Sequence, residues 1–553
     1  MVTWKTDCPD WESRLINRQS IIPPPIFPEI ANVGLSIFKR LTVSDLPGKP
    51  TFGECSDQFV FDFVLAIFGG YDIETGNQMI REYGLLISKK NTKSTIAAGI
   101  MLTALILCWR EDEEHLILAP TKEVADNSFK PAASMIRADE ELSDIFHVQD
   151  HTRTITHRVN RNSLKVVAAD TDTVSGKKSG RILVDELWIF GKRAKAESMF
   201  MEALGGQVSR NEGWVIFLTT QSDEPPAGIF KQKLDYWRDV RDGNIEDKKT
   251  LGILYEFPQK MIESKAYEDP DNFYITNPNI GRSVSREWLE GEFKKYKNKT
   301  DGTYQQFLAK HLNIEIGLNL RNDRWPGADY WEQQADPSIT FNSILSRSEV
   351  ICVGIDGGGL DDLLGLSIVG RDKHTRQWLS WSHGWATRKA IERRKSEESR
   401  LNDFVVNGDF TIIEEVGDDF IEISQLVLEI FTAGLLDKVG MDPAGVGMLL
   451  DAMVEAGIPQ DSIIGISQGW RLGGAIKTTE RKLAEGALIH ANQPLMNWCV
   501  GNAKIVTSSN ATLITKQASG VGKIDPLMAL FDAVSLMALN PGPTKKDYSV
   551  FYL

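Results

Sequence analysis

Cysteine is sparse in this 553-residue chain, and the five present, Cys8, Cys55, Cys108, Cys352 and Cys499, share no paired spacing. That argues against a disulfide framework or a zinc site and fits a reducing cytoplasm. Long apolar runs are also missing. The longest, Ile96 to Trp109, falls short of the roughly 20 residues a membrane span needs and reads as a buried helix. The N-terminus carries Asp, Glu and Arg where a signal peptide needs an apolar core, so no export signal is expected. Positive charge is in deficit, with a formal net charge of -14. An acidic total argues against uniform coating by nucleic acid but is compatible with a local basic channel. The length is enough for two or more domains, each with its own core.

What is present is organised around Arg181-Ile182-Leu183-Val184-Asp185-Glu186. The apolar run suits a strand covered on both faces of a parallel sheet. Asp185 and Glu186 then fall at its carboxyl end, where open α/β sheets take ligands. This is the Walker B pattern, with Asp185 holding Mg²⁺ and Glu186 polarising the attacking water. A buried strand ending in a solvated acidic turn has the same composition.

Upstream, a strand at Tyr83–Ile87 leads through Ser88-Lys89-Lys90-Asn91-Thr92-Lys93-Ser94-Thr95 into the apolar helix. That is the order of a phosphate loop, whose helix N-terminus attracts phosphate. Lys93 would reach the β- and γ-phosphates and Ser94 would ligate Mg²⁺. The usual glycines are replaced by Ile87 and Thr92, and a positive φ at Thr92 would be strained.

Further strands at His115–Pro120, Leu164–Ala169 and Trp214–Gln221 alternate with helical stretches, which predicts a parallel sheet. Thr219 and Thr220 at a strand end either sense the γ-phosphate or cap the strand. Gln58, opening a helix that runs to Phe68, either reads the adenine edge with its amide or is a solvated helix-start residue. Arg210 is either an arginine finger or a surface arginine.

The pattern weakens between about 225 and 345. Phe293-Lys294-Lys295-Tyr296-Lys297-Asn298-Lys299 interleaves aromatic and basic residues, as a DNA-tracking segment does and as a plain solvated helix face also does. From about 348 a second pattern begins. Val350–Asp356 is a strand ending in an acid, and Leu363–Val369 is its hairpin return. Leu436–Asp442 again ends an apolar stretch in an acid, and Asp525 opens a C-terminal helix. Three separated acids of this kind suit a two-metal carboxylate site holding Mg²⁺ or Mn²⁺. Asp361, Asp362 and Asp532 are further candidates, and Asp532 shares the Asp525 helix face. Taken singly, each Asp is equally a cap or turn residue.

Together these pieces resemble the large terminase subunit of tailed double-stranded DNA bacteriophages. The similarity covers about residues 45–540 and is carried, in order, by Lys89–Ser94, Ile182–Glu186, Leu218–Thr220, Val353–Asp356, Val439–Pro443 and Lys523–Asp525. It implies an α/β protein. A P-loop ATPase of the additional-strand, catalytic-glutamate type, with a parallel sheet and helices, would precede a ribonuclease H-like mixed-sheet nuclease. The corresponding division is an arm at 1–45, an ATPase domain at 46–260, a lid or linker at 261–347, a nuclease at 348–540 and a tail at 541–553.

The family's phosphate-loop lysine falls on Lys93, its catalytic glutamate on Glu186, and its coupling motif on Thr219 and Thr220. Its nuclease acids fall on Asp356, Asp442 and Asp525. The resemblance implies a genome-packaging motor that uses ATP with Mg²⁺ to drive double-stranded DNA through a portal into a procapsid. A nuclease holding two Mg²⁺ or Mn²⁺ would cut the concatemer. The implied partners are the portal protein, a small terminase subunit and further copies of the chain in a ring, commonly pentameric, in the host cytoplasm. Two other readings stay open. One is a helicase-like or recombination ATPase whose C-terminal domain binds DNA without cutting. The other is a portal-docking scaffold that lost ATPase function through Thr92.

Overall fold

Apolar stretches with no polar alternation become central strands, because helices can then cover both faces of the sheet. In the first of two units, Met1–Ile316, a short ribbon of β1 (Tyr71–Asp72) and β2 (Asn77–Gln78) precedes an eight-stranded sheet. The sheet comprises β3 (Glu82–Leu86), β4 (Glu114–Ala119), β5 (Phe146–Gln149), β6 (Thr154–His157), β7 (Ser163–Ala168), β8 (Ser179–Val184), β9 (Trp214–Thr219) and β10 (Thr250–Leu254). The order is β10-β3-β9-β8-β4-β7-β6-β5. All strands from β10 to β7 are parallel, and β6 and β5 continue as an antiparallel edge. The structure is a computed structural model and describes residues 3–168, 179–193, 196–299, 302–316, 325–357, 362–393, 397–442, 447–508, 511–514 and 523–543.

The helix Lys93–Ile106 is buried nearly all round, as its uninterrupted apolar sequence requires. The N-terminal arm packs on its own unit. Trp4 donates to the Lys248 carbonyl at 2.9 Å, and the Tyr274 hydroxyl donates to the Ile16 carbonyl at 2.8 Å. Residues 261–316, read from the sequence as part of a lid or linker, belong to this first unit. In the Phe293–Lys299 segment the rings pack inward. Phe293 is buried and meets Phe273 edge-on at 5.4 Å, while Tyr296 stacks on Phe307 at 5.8 Å. The lysines and Asn298 face solvent, and Tyr296 is half-buried with Lys295 and Lys299 over its ring.

The second unit, Gly317–Leu553, is built on β11 (Ser348–Gly357), β12 (Leu364–Asp372), β13 (Trp378–Thr387), β14 (Phe410–Ile413), β15 (Leu436–Met441), β16 (Ile463–Gly465) and β17 (Leu488–His490). The order is β14-β13-β12-β11-β15-β16, with β17 also paired to β13. Strands β11, β12 and β13 form an antiparallel meander, whereas β15 pairs parallel to β11 and β16 parallel to β15. This is the mixed ribonuclease H-like arrangement. A separate ribbon joins β18 (Ile505–Ser508) to β19 (Ala511–Ile514).

The helix Asp525–Met537 lies across β11 and β12. A Cβ on Gly354 would fall 1.9 Å from the Ala529 carbonyl oxygen, so glycine at that point permits the helix to touch the strand.

Candidate functional site

In the first unit, chemistry gathers at the carboxyl ends of β3, β8 and β9. The loop after β3 is tied to β9 by the Ile87 amide, which donates to the Thr219 carbonyl at 3.1 Å. Thr92 does take the left-handed conformation, at φ 56°, and Lys90 does so at φ 73°. Such a threonine costs on the order of 1 kcal/mol, and the surroundings hold it in place. Buried Asn91 donates to the Ser88 carbonyl at 3.0 Å and to Asn277 Oδ1 at 2.9 Å, and accepts from the Asn279 amide at 3.1 Å. The Asn279 side chain donates to Thr92 Oγ1 at 3.1 Å. Segment 277–279 thus does by hydrogen bonding what glycine does by lacking a Cβ.

The Lys93 ammonium lies 3.1 Å from Glu186 Oε1. Burial works to raise the Glu186 carboxyl, but the Lys93 charge, with hydrogen bonds from Lys93 and Trp188, outweighs it and holds the group below its ordinary range. Neighbouring Asp185 is fully buried and accepts from the Ser128 hydroxyl at 2.8 Å. Burial, then the Glu186 charge, push Asp185 up, while Lys93 and the Ser128 and Ser94 hydroxyls oppose them. A carboxyl beside a hydroxyl is the hard-oxygen donor set that suits Mg²⁺. Thr219 Oγ1 accepts from the Trp188 amide at 3.1 Å and donates to the Thr220 carbonyl at 2.8 Å. The structure therefore brings Lys93, Ser94, Asp185, Glu186 and Thr219 together.

Gln58 and Arg210, each with two readings open from the sequence, have the following surroundings. Gln58 donates to Asp62 at 2.8 Å and faces a cavity of about 360 Å³ shared with Arg18, Tyr255 and Tyr274. Thr92 and Thr95 border a different cavity, of about 280 Å³, walled by Phe52, Ile96, Asn279 and Arg282 but not by Gln58. Arg210 is ion-paired within its own unit. Its guanidinium lies 2.9 Å from Glu113, which is 1% exposed and also accepts from the Gly180 amide at 2.7 Å. Glu113 and Arg210 precede β4 and β9, so the pair sits at the amino ends of the parallel strands, across the sheet from Glu186.

Replacing Arg210 by Ala leaves a buried carboxylate unpaired, with an expected cost of about 3 kcal/mol in stability. The check is the thermal midpoint. A fall in ATP turnover with an unchanged midpoint would instead favour the arginine-finger reading.

In the second unit the charges of Asp356 and Asp442 act on Asp532 of the helix Asp525–Met537. Asp356 shares the face of β11 on which Gly354 meets this helix, because side chains alternate along a strand. Met441 of β15 pairs with Ile355, which sets Asp442 beside Asp356 on the same face. Asp525 Oδ1 lies 3.2 Å from where a Gly357 Cβ would stand. Asp532 is fully buried and accepts from the Gln468 amide at 3.1 Å. Among the described residues no three His, Cys, Asp or Glu side chains are drawn together as a metal cage. The acids fit a divalent ion by their charge instead. Burial, then the Asp356 charge, push Asp532 up to about 9, with Asp442 adding to the repulsion. Mutual repulsion between buried carboxyls is what a cation relieves. Asp362 pairs with Lys523, and Asp361 lies outside the described residues.

The sign of the Asp532 effect follows from linkage. Folded Asp532 keeps a proton that the unfolded chain releases above about pH 4. Metal-free stability should therefore fall as pH rises from about 4 to 9, and the fall should be weaker in Asp532→Asn. Thermal midpoints of the full chain across that window check this. Parallel curves for the two proteins would contradict it.

Two family descriptions match the chain: "Terminase large subunit, ATPase domain" over residues 61–239 and "Terminase large subunit, endonuclease domain" over residues 248–540. The chain belongs to the terminase large subunit family. It is a phage DNA-packaging motor subunit, an ATPase and an endonuclease, whose domains use a nucleotide and divalent metal. The endonuclease match sets aside the non-cleaving helicase reading and the ATPase match the inert scaffold. It also begins inside the first compact unit.

The chain is 24% identical over 490 residues to the terminase large subunit of Lactococcus phage p2, covering 84% of each chain. It is 21% identical over 504 residues to that of Enterobacteria phage HK97, covering 89% of this chain and 92% of the relative. Against the crystal structure of the HK97 large terminase the TM-score is 0.47 at 20% identity, covering 92% of this chain and 99% of that one. Among the described residues no helix is long and apolar enough to cross a membrane.

Signals for several site residues were absent from the sequence. Asn277, Asn279, Ser128 and Gln468 are single polar residues in no motif, and only their contacts identify them.

Proposed function

We propose that Lys93 and the 88–95 loop, with the helix dipole behind them, take the triphosphate of ATP, and that Ser94 and Asp185 hold its Mg²⁺. When bound, the ion neutralises charge on the phosphates. Lys93 leaves Glu186 for the phosphates, and the Glu186 carboxylate then orients and polarises the attacking water. Thr219 and Thr220 carry the state of the site along β9. Asp356, Asp442 and Asp525, with Asp532 beside them, would hold two Mg²⁺ or Mn²⁺ ions, whose chemistry there would be to activate water and stabilise the leaving oxygen. The observation that carries this reading is the 3.1 Å contact between Lys93 and Glu186 beside a fully buried Asp185.

We further assign the chain a place in a homo-oligomeric ring on the procapsid portal, acting on double-stranded DNA with a small terminase subunit in the host cytoplasm. The test is separation of the two activities. Glu186→Gln should lose ATP hydrolysis and keep cleavage of DNA with Mn²⁺, and Asp356→Asn should do the reverse. Loss of both activities in either variant would overturn the reading.

A further inference from the structure

Glu186 has two carboxylate oxygens, and each has its own partner. Oε1 faces the Lys93 ammonium, and Oε2 accepts from the Trp188 indole N–H at 2.6 Å. Once Lys93 turns to the phosphates, the Trp188 N–H is the contact left to aim the carboxylate. Glu186 itself stands in the left-handed region, at φ 55°, so its direction is not fixed by a regular element.

Trp188 is in turn held from two sides. Its amide donates to Thr219 Oγ1 at 3.1 Å, and the Lys310 ammonium lies 3.0 Å from the centre of its ring. Lys310 comes from the helix Thr303–Leu312, which no motif marks. Its ammonium donates to the Gln221 carbonyl at 2.9 Å, and its own carbonyl accepts from the Lys89 amide at 2.8 Å. One residue thus touches the phosphate loop, the end of the β9 segment and the indole that holds Glu186.

A buried ammonium has given up water, and Lys310 is only 8% exposed. An apolar side chain would fill the same space without that cost. What the charge adds is a pull on the indole electrons, which makes the N–H a stronger donor. Burial, with Lys89 and Lys192 adding to it, pushes the ammonium down to about 7, against the charges of Asp223 and Glu186.

We propose that Trp188 and Lys310 form a positioning relay that aims the Glu186 carboxylate and couples its aim to the Thr219–Gln221 strand end. Neither side chain is assigned a contact with ATP; both act through Glu186. The inference rests on Glu186 being the hydrolytic carboxylate.

The experiment is steady-state ATP hydrolysis by the full chain carrying Trp188→Phe, Lys310→Met, both together, Lys310→Arg or Glu186→Gln. Trp188→Phe keeps the ring and removes the N–H, and Lys310→Met keeps the length and removes the charge. Each single variant should lower kcat by about 10-fold, the size of one hydrogen bond to a charged group. KM for ATP should stay within about 2-fold, as expected when ground-state binding is untouched. The double variant should be no slower than the slower single variant, and Lys310→Arg should recover part of the rate. Plasmid cleavage with Mn²⁺ at the wild-type rate serves as the measure of folding.

Additive losses in the double variant would overturn the relay, as would KM and cleavage falling together with kcat. If Glu186→Gln hydrolyses ATP normally, the assignment of Glu186 falls and the relay falls with it. If Glu186→Gln is inactive while Trp188→Phe and Lys310→Met keep the wild-type kcat, the relay alone is wrong.

Discussion

Glu186→Gln is expected to slow ATP hydrolysis by about 10²–10⁴-fold, the range for removing a positioned base, while ATP binding is kept or tightened. The amide keeps the size of the side chain and can still accept from the Trp188 indole, so the site should hold its shape. What disappears is the negative charge proposed to polarise water, the same charge that pairs with Lys93 at 3.1 Å. In the wild-type protein the nucleotide must draw Lys93 from that partner. In the variant the lysine has no anionic competitor. Phosphate release and binding of a fluorescent ATP analogue measure the two effects separately. A variant that loses binding and hydrolysis in equal measure would make Glu186 a structural counter-ion.

Asp356→Asn should reduce DNA cleavage with Mn²⁺ by about 10³-fold or more. A bound metal contributes several kcal/mol to the transition state, and each 1.4 kcal/mol or so is a factor of ten. Asp356 lies in the central strand β11 of the second unit, beside Asp442, which directly follows the neighbouring strand β15. Neutralising it removes the charge proposed to bind the metal, which no neighbour on that strand replaces. The same change should relax Asp532, because the Asp356 charge is among the causes that keep that carboxyl protonated. ATP turnover should be unaffected. Cleavage near the wild-type rate would show that the metal site is built from other residues.

Much of this arrangement was legible because it is written in patterns of one period. The run Ile182–Val184 suited a doubly covered strand, and the acids following it then fell at its carboxyl end. The antiparallel return of Leu364–Asp372 on Ser348–Gly357 was likewise readable from two apolar runs around a glycine turn. Thr92 was rightly expected to be strained, but what holds it was hidden. Asn277 and Asn279 lie about 185 residues further on, and long-range hydrogen bonds leave no periodic trace. The ion pair of Arg210 was not legible because its partner, Glu113, is separated from it by several strands. The Phe293–Lys299 stretch looked like a nucleic-acid track because sequence alone cannot say which face of a helix is turned inward.

The contact made possible by Gly354 bears on how finely the nuclease is adjusted. There the helix carrying Asp525 and Asp532 rests on β11, main chain against main chain, with a would-be Cβ only 1.9 Å from a carbonyl oxygen. Rotamer changes and repacking, which let most interfaces drift by a few tenths of an ångström, have no purchase at such a seam. The separation of the acids is thereby gauged by peptide groups and not by side-chain fit. A methyl group at position 354 would widen that gauge without touching a single carboxylate.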